Sequence, residues 1–189
     1  MYKKLTPRAA NRLTSGGQIV TVATTSKEGV ADIMTAAWNT PYDSDQVLVV
    51  LDRGHKNIIE TGKFVVAIPH EGQIADINRV GSIHGRDSGD KFAWAKITPV
   101  TSEVLGIKTL PDALAYIECE LVDLETLKKT GVCIGKAVNI TVKEELWDEE
   151  HSSFAAGFAK TLHYISEDAY YTNGKIVRVE ENFMNMTND

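Results

Sequence analysis

Residues 18–37 read QIVTVATTSKEGVADIMTAA, and this stretch indicates the fold class. It holds two β-rich segments, 18–25 and 30–37, joined by the polar sequence SKEG. A short polar connection that ends in glycine is typical of a β-hairpin loop. We therefore predict that the chain begins its fold with an antiparallel hairpin.

Apolar runs further along the chain predict more strands. Residues 47–51 and 64–68 are continuous apolar runs of strand length, which predict strands buried on both faces over 47–51 and 63–69. Residues 39–45, which contain a proline and two aspartates, are predicted as the loop before the first of these runs.

The second half of the chain continues the β pattern. Residues 113–122 alternate, which predicts a strand with an apolar face and with Glu118 and Glu120 facing water. Residues 131–142 predict another strand. An Asn-Gly pair at 173–174 predicts a hairpin over residues 169–179.

Helical signals are few and mostly short. A single turn is expected at 57–61, closed by Gly62, and the three-residue spacing of apolar positions predicts a helix over 72–80. The acidic start of 144–160 favours a helix there, with the segment 144–151 as a solvated face. Residues 81–90 contain three glycines and alternating charges, and we expect a functional loop.

Many strands, short helices and no βαβ alternation predict a mainly β protein, an antiparallel barrel or sandwich. The 189 residues suit one domain over 1–189, with an N-terminal segment at 1–16 and a frayed tail at 182–189. Two cysteines cannot form a disulfide framework and lack zinc-ligand spacing, so we expect no metal and a reducing, cytoplasmic environment.

Composition and motifs exclude several functions. A net charge of −6 argues against nucleic-acid binding, and the absence of a 20-residue apolar run or a signal-peptide pattern argues against membrane insertion and export. No dinucleotide-binding, P-loop or nucleophile-elbow motif is present.

Two cationic clusters stand out in this acidic chain. One holds Arg53, His55, Lys56 and Asn57, and the other Arg79, His84, Arg86 and Lys91. Such clusters suit a phosphate, although a solvated surface explains them as well. The small-residue strand end at 34–39 could let a flat ring approach the backbone, or Trp38 could simply pack in the core.

These features together resemble a known family. The sequence TAAW at 35–38, the Pro-containing loop and strand after it, and RGHKNIIETGKFVV at 53–66 match the order and spacing of the flavin reductase-like, flavoredoxin-type FMN-binding split-barrel family. GRDSGDKF at 85–92 is similar to a later stretch of that family. The resemblance covers residues 17–142, with a weaker match at 163–164 and 170–174. His55-Lys56-Asn57 departs from it, because many relatives carry a hydroxyl residue there.

The resemblance implies a six-stranded antiparallel split barrel with short flanking helices and with FMN at the interface of a homodimer. The residues implied to line the isoalloxazine and ribityl chain are Met34, Thr35, Ala36, Ala37, Trp38 and Asn39. Those implied to hold the phosphate are Arg53, His55, Lys56 and Asn57. Those implied to close the site are Ser82, Gly85, Asp87, Lys91 and Phe92.

The implied activity is hydride transfer from NAD(P)H to FMN, for which the flavin supplies the chemistry and no catalytic side chain is needed. Two alternatives stay open: a flavoredoxin-like electron carrier without its own NAD(P)H site, and a split-barrel protein that binds another ligand or none. Cys119 lies on the apolar face of the predicted strand 113–122, so we expect a buried, inert thiol.

Overall fold

The computed structural model describes residues 17–51, 56–155, 160–166 and 169–172, except for the side chains of Arg86, Ser88 and Ser166. The predicted N-terminal segment, the frayed tail, Arg53, His55 and the Asn-Gly turn at 173–174 lie outside the described residues. So do residues 156–159 of the predicted helix.

Thirteen strands are present in the described residues, and most of the long ones belong to one sheet. In chain order they are β1 Val20–Thr25, β2 Ala31–Ala36, β3 Asn39–Asp43, β4 Gln46–Val50, β5 Lys63–Ile68, β6 Val100–Thr101, β7 Lys108–Thr109, β8 Ala115–Leu121, β9 Val132–Val142, β10 Trp147–Asp148, β11 Ser153–Phe154, β12 Leu162–Ser166 and β13 Ala169–Thr172. The main sheet has the order β2-β1-β5-β8-β9-β4-β3, with every pair antiparallel.

The described helices are short. They are α1 Lys56–Thr61, α2 Ile74–Gly81, α3 Gly85–Ser88, α4 Lys91–Ala95 and α5 Leu124–Thr130, with 3-10 turns at Glu71–Gln73 and Glu144–Leu146. The predictions of a helical turn at 57–61 and of a helix over 72–80 are confirmed by α1 and α2. The predicted loop 81–90 contains one helical turn, α3. None of the described helices is long and apolar enough to cross a membrane.

The predicted N-terminal hairpin is confirmed. β1 and β2 pair from Val20 opposite Ala36 to Thr25 opposite Ala31, and Gly29 takes a positive φ of 84° in the connection. The Ser26 side chain accepts a hydrogen bond from the Val30 N–H at 3.2 Å, which fixes the loop. The prediction of a mainly β, antiparallel fold with short flanking helices is confirmed by the main sheet and by the short helices.

Two apolar clusters stabilise the sheet, one on each face. β5 shows the pattern most clearly: Phe64 and Val66 join one cluster, whereas Val65 and Ala67 join the other. The second cluster packs against α2 and α4, which contribute residues such as Ile77 and Phe92. The prediction of a strand buried on both faces at 63–69 is therefore confirmed.

The main sheet has seven strands, not the six that the resemblance implies. Residues 39–45, predicted as a loop, contain strand β3, with Thr40 opposite Leu48 and Pro41 opposite Val47. Pro41 has no backbone N–H to donate, but β3 is the last strand of the sheet and edge strands tolerate this loss.

Two predictions about burial are wrong. In β4, Val49 is buried but Val47, Leu48 and Val50 are only half-buried, because β4 lies next to the edge strand. In β8, Glu118 was expected to face water, yet it is 2% exposed, since residues 102–105 cover it and donate hydrogen bonds to it.

The prediction of a helix over 144–160 is also wrong. A 3-10 turn is followed by the β10–β11 ribbon, in which Trp147 lies opposite Phe154. Asp148 accepts hydrogen bonds from the N–H and the imidazole of His151, and local side-chain bonds of this kind compete with helix formation. At the C-terminal end, β13 pairs with β12.

Candidate functional site

A cavity of about 620 Å³ lies along the edge of the main sheet. The β1–β2 loop and β2 line one side with Ser26, Glu28, Val30, Ala31, Asp32, Met34 and Thr35. Successive side chains of a strand point to opposite faces, and neighbours such as Asp32 and Ala31 both line the cavity. The cavity therefore follows the free edge of β2 instead of one face of the sheet.

The backbone of this edge carries hydrogen-bonding groups. The Ser26 N–H donates to the Val30 carbonyl at 2.8 Å, and pairs in antiparallel strands alternate between hydrogen-bonded and non-hydrogen-bonded. By this alternation Ala31, Ile33 and Thr35 present their N–H and C=O groups away from β1. The Ile33 N–H donates to Asp32 at 2.8 Å. The edge can thus offer backbone donors and acceptors to a planar ligand.

A buried ion pair lies in the cavity wall. The Lys91 ammonium is 3.6 Å from Asp32 Oδ1, and the side chains are 4% and 27% exposed. Burial lowers the pKa of Lys91, and the Asp32 carboxylate opposes this effect. Lys91 begins α4, where Asp90 accepts a hydrogen bond from the Ala93 N–H and so fixes the start of the helix.

Gly85 packs closely against the same carboxylate. A Cβ added to Gly85 would lie 2.7 Å from Asp32 Oδ2, which is closer than real Cβ contacts allow. A larger residue at this position would displace Asp32. The segment at 81–91 thereby contributes to the cavity through Gly81, Ile83, His84, Gly85, Gly89 and Lys91.

The start of α1 forms another part of the wall. Lys56 is 83% exposed and pairs with Glu60 at 3.5 Å, so its ammonium is solvated. The Asn57 side chain donates to the buried hydroxyl of Thr24 at 3.0 Å, which ties α1 to β1. Across the cavity, a hydrogen bond from Ser26 lowers the pKa of Glu28.

Helix α2 is fixed against β2 at the cavity. The Thr35 hydroxyl donates to the Ile77 carbonyl at 2.6 Å, so this side chain is already engaged. A Cβ on Gly81 would lie 3.3 Å from Thr35, which shows how closely the two elements approach. Val80 and Gly81 at the end of α2 complete this wall.

The structure brings six of the fifteen predicted site residues together in the cavity wall. They are Met34, Thr35, Lys56, Asn57, Gly85 and Lys91. The predicted residues that lie elsewhere among the described ones are Ala36, Ala37, Trp38, Asn39, Ser82, Asp87 and Phe92. Arg53 and His55 lie outside the described residues.

Four of the predicted residues that do not line the cavity have structural roles: Ala36, Asn39, Ser82 and Phe92. Ala36 and Phe92 are buried in the two apolar clusters, and Trp38 is 53% exposed. The Asn39 side chain donates to the Gln18 carbonyl at 2.7 Å, and the Ser82 hydroxyl donates to the last turn of α2. Arg79, from the second cationic cluster, pairs with Asp76 at 3.3 Å and contacts the α4 carbonyl of Ala95.

Several cavity residues were not predicted, and Asp32 is the most informative. Its only signal in the sequence is a charged residue inside an apolar strand, which becomes meaningful once Lys91 is known to lie beside it. Ser26 and Glu28 were not predicted as site residues, because a hairpin connection is by itself a sufficient reason for polar residues at these positions. Among the described residues no cluster of three or more His, Cys, Asp or Glu side chains could hold a metal ion.

The sequence matches the flavin reductase-like domain over residues 13–177, which is most of the chain. The chain belongs to the flavin reductase-like family. A curated relative of the chain is an uncharacterized protein of Pyrococcus abyssi (strain GE5 / Orsay). It is 28% identical over 156 residues, covering 79% of this chain and 87% of that protein. The family resemblance inferred from the sequence is therefore confirmed.

Solved structures show that the fold is shared with flavoproteins. Flavoredoxin of Desulfovibrio vulgaris (Miyazaki F) superposes with a TM-score of 0.80 at 22% identity, covering 97% of this chain and 100% of that one. An FMN-binding domain of a flavin reductases-like enzyme from Shewanella baltica OS155 gives a TM-score of 0.77 at 23% identity, covering 93% and 96%. This flavin reductase-like chain thus has the fold of these two proteins.

Proposed function

We propose that the protein binds FMN in the cavity along β2 and acts as an NAD(P)H-dependent flavin reductase-like oxidoreductase. The observation that carries the proposal is the combination of a backbone edge and a buried ammonium in one cavity of about 620 Å³. Ligand cavities commonly span about 300–1,000 Å³ and hold a few well-placed polar groups among apolar ones. The cavity fits a cofactor of this chemistry.

Each part of the cavity suits a part of FMN. The edge of β2 at Ala31 and Thr35 would hydrogen-bond the rim of the ring, and Met34 offers a flexible apolar contact. Lys56 and Asn57, with Arg53 and His55 as further candidates, would hold the phosphate. In a chain with a net charge of −6, these local cations would supply the attraction for a dianion.

Bound FMN would supply the redox chemistry, by accepting hydride from a nicotinamide and passing the electrons to an acceptor. The protein has to orient the two rings and exclude water, tasks that need no acid, base or nucleophile. The thiols take no part in this proposal, because burial raises the pKa of Cys119 and of Cys133 to about 12.

Anaerobic reduction of the FMN-loaded protein tests the activity. Under the proposal, NADH or NADPH bleaches the visible absorbance of the bound flavin. Dithionite serves as the control that the flavin is reducible in the protein. Flavin that dithionite bleaches but that both nicotinamides leave oxidised would refute the reductase activity.

A flavoredoxin-like electron carrier is the second candidate. The superposition on a flavoredoxin over 97% of this chain favours it. The carrier would retain FMN and exchange electrons with a protein partner, and it would show the dithionite-only result of the experiment above. Protein that binds no FMN would instead support a split-barrel protein with another ligand.

We further propose that the working unit is a cytoplasmic homodimer. Exposed apolar side chains on one half of the sheet support dimerisation: Trp38, Tyr42, Val138 and Ile140. Two buried, unbridged cysteines support a reducing compartment. Light scattering coupled to size-exclusion chromatography should give about twice the mass of the chain, and a monomer at all concentrations would refute the dimer.

A further inference from the structure

The carboxylate of Asp32 is held in place from two sides. Its Oδ1 accepts a hydrogen bond from the Ile33 N–H at 2.8 Å, and the Gly85 backbone packs against the rest of the group. Lys91 is the cation beside it, at 3.6 Å. Because these contacts come from the backbone, the carboxylate has little freedom to move.

The Lys91 ammonium has more N–H donors than Asp32 can accept from. An ammonium group carries three N–H donors, and among the described residues Asp32 provides the one carboxylate within 4 Å of the Lys91 ammonium. A buried cation with a single partner at this distance is costly unless another acceptor completes its shell. The side chain lines the cavity, so a ligand there can provide that acceptor.

We propose that Asp32 is a positioning residue that keeps the ammonium of Lys91 charged and directed into the cavity, where it binds an anionic or acceptor group of the ligand. The proposal rests on the proposed function in taking FMN as that ligand. Asp32 acts through Lys91 in this proposal.

Among the charged groups around Lys91, Asp32 has the largest effect on the charge state of its ammonium. Lys91 is faced by Asp32 from β2, while Asp90 caps the helix of Lys91 and Asp87 lies on α3. On α2, Arg79 and Asp76 neutralise each other. The remaining titratable groups of the cavity wall are Glu28, Lys56 and His84. Only Asp32 lies within ion-pair distance of the Lys91 ammonium among these described groups.

The direction in which ligand affinity changes with pH follows from the charge on Lys91, because the ligand is proposed to bind the charged ammonium. Ligand affinity that depends on the ammonium is present below the pKa of Lys91 and is lost as the pH rises through it. Asp32 opposes the lowering of this pKa by burial, so its removal moves the loss of affinity to lower pH.

The first experiment follows Lys91 in the ligand-free protein. The Cε resonance of 13C-labelled lysine, assigned by its absence in Lys91→Met, is titrated in wild type, Asp32→Asn and Asp45→Asn. Asp45 is the matched control, because it pairs with Lys136 at 3.5 Å on the surface. We expect the midpoint to fall by about one pH unit or more in Asp32→Asn alone. An unchanged midpoint would overturn the proposal.

The second experiment is a double-mutant cycle on FMN affinity, measured by quenching of flavin fluorescence from pH 6 to 10. We expect Asp32→Asn to weaken binding by about tenfold at the upper end, and the Asp32→Asn/Lys91→Met protein to bind no more weakly than Lys91→Met. A double variant weaker than Lys91→Met by the full effect of Asp32→Asn would show that Asp32 acts independently of Lys91, against the proposal.

The lysine titration and the FMN-affinity measurement together distinguish failure of the proposed function from failure of the role assigned to Asp32. Wild-type protein that binds no FMN contradicts the proposed function, while the lysine titration still reports whether Asp32 controls Lys91. Removing one member of a buried pair can prevent folding. If Asp32→Asn does not fold, the comparison of the double variant with Lys91→Met, in which no unpaired ammonium remains, decides the question.

Discussion

Glu118 offers the sharpest test of how the fold is held together. Its carboxylate, 2% exposed, accepts hydrogen bonds from the Val104 N–H at 3.0 Å, from the Leu105 N–H and from the Asn139 side chain at 2.9 Å. These donors tie the β6–β7 connection and β9 to β8. We predict that Glu118→Gln destabilises the protein, because an amide has one acceptor oxygen where the carboxylate has two.

The magnitude follows from the donors that lose their acceptor. The Val104 N–H contacts both carboxylate oxygens, the Leu105 N–H contacts Oε2 and the Asn139 amide contacts Oε1, so with either oxygen replaced by an N–H₂ group at least one of these donors faces another donor. A hydrogen bond to a charged group contributes about 1.5–3 kcal/mol, so we expect a loss of about 1.5–3 kcal/mol in the free energy of unfolding. Urea unfolding at pH 7 measures it. The matched control is Glu120→Gln, two residues along β8 and exposed, which should change stability by less than about 0.5 kcal/mol.

The pH dependence gives an independent check. Burial raises the pKa of Glu118, but the hydrogen bonds from Asn139, Leu105 and Val104 outweigh it, and the net pKa is lowered. The stabilisation is therefore full above the unfolded-state pKa of about 4.3 and is lost as the pH falls through the lowered folded-state value. The gap between wild type and Glu118→Gln should be constant from pH 6 to 8 and shrink in acid. A variant as stable as wild type, or a gap that does not shrink as the pH falls below about 4, would refute this reasoning.

Three further predictions concern the core and the cavity. Gly135→Ala should lower the free energy of unfolding by about 1–3 kcal/mol in urea melts, because its Cβ would lie 2.2 Å from the buried Phe64 ring. Cys119 and Cys133 should not react with a thiol reagent at pH 8 until the protein is unfolded, since both are buried with a pKa of about 12, and Cys119→Ala should leave turnover nearly intact. Lys56→Ala should weaken FMN binding by roughly fivefold, about 1 kcal/mol, because the ammonium is exposed and shared with Glu60; unchanged affinity would place the phosphate elsewhere.

Local sequence patterns correctly predicted the elements whose structure is determined by residues close together in the chain. The β1–β2 hairpin follows from its loop, and β5 follows from its continuous apolar run. β3 was missed because Pro41 indicates a loop unless the strand is known to lie at a sheet edge. Glu118 was placed in water because alternation along a strand cannot show that a distant connection covers its polar face.

In the candidate site too, some residues could be predicted from the sequence, whereas others depend on contacts between distant parts of the chain. Family resemblance placed Lys91 and Gly85 in the site, and both line the cavity, whereas their roles stay predictions. Asp32 was missed, since its significance depends on an ion pair between residues 59 positions apart. Trp38 and Asn39 follow β2 in sequence, but the chain turns there into β3 and leads away from the cavity.

The central claim is that the cavity along β2 binds FMN through Lys91, and titration of the protein with FMN tests it most directly. Flavin fluorescence and visible absorbance should saturate at one FMN per chain with a micromolar or lower dissociation constant, and Lys91→Met should weaken binding by about tenfold or more. The control variant Asp45→Asn should bind as wild type does. Absence of saturable binding, or a Lys91→Met protein that binds FMN with unchanged affinity, would contradict the claim.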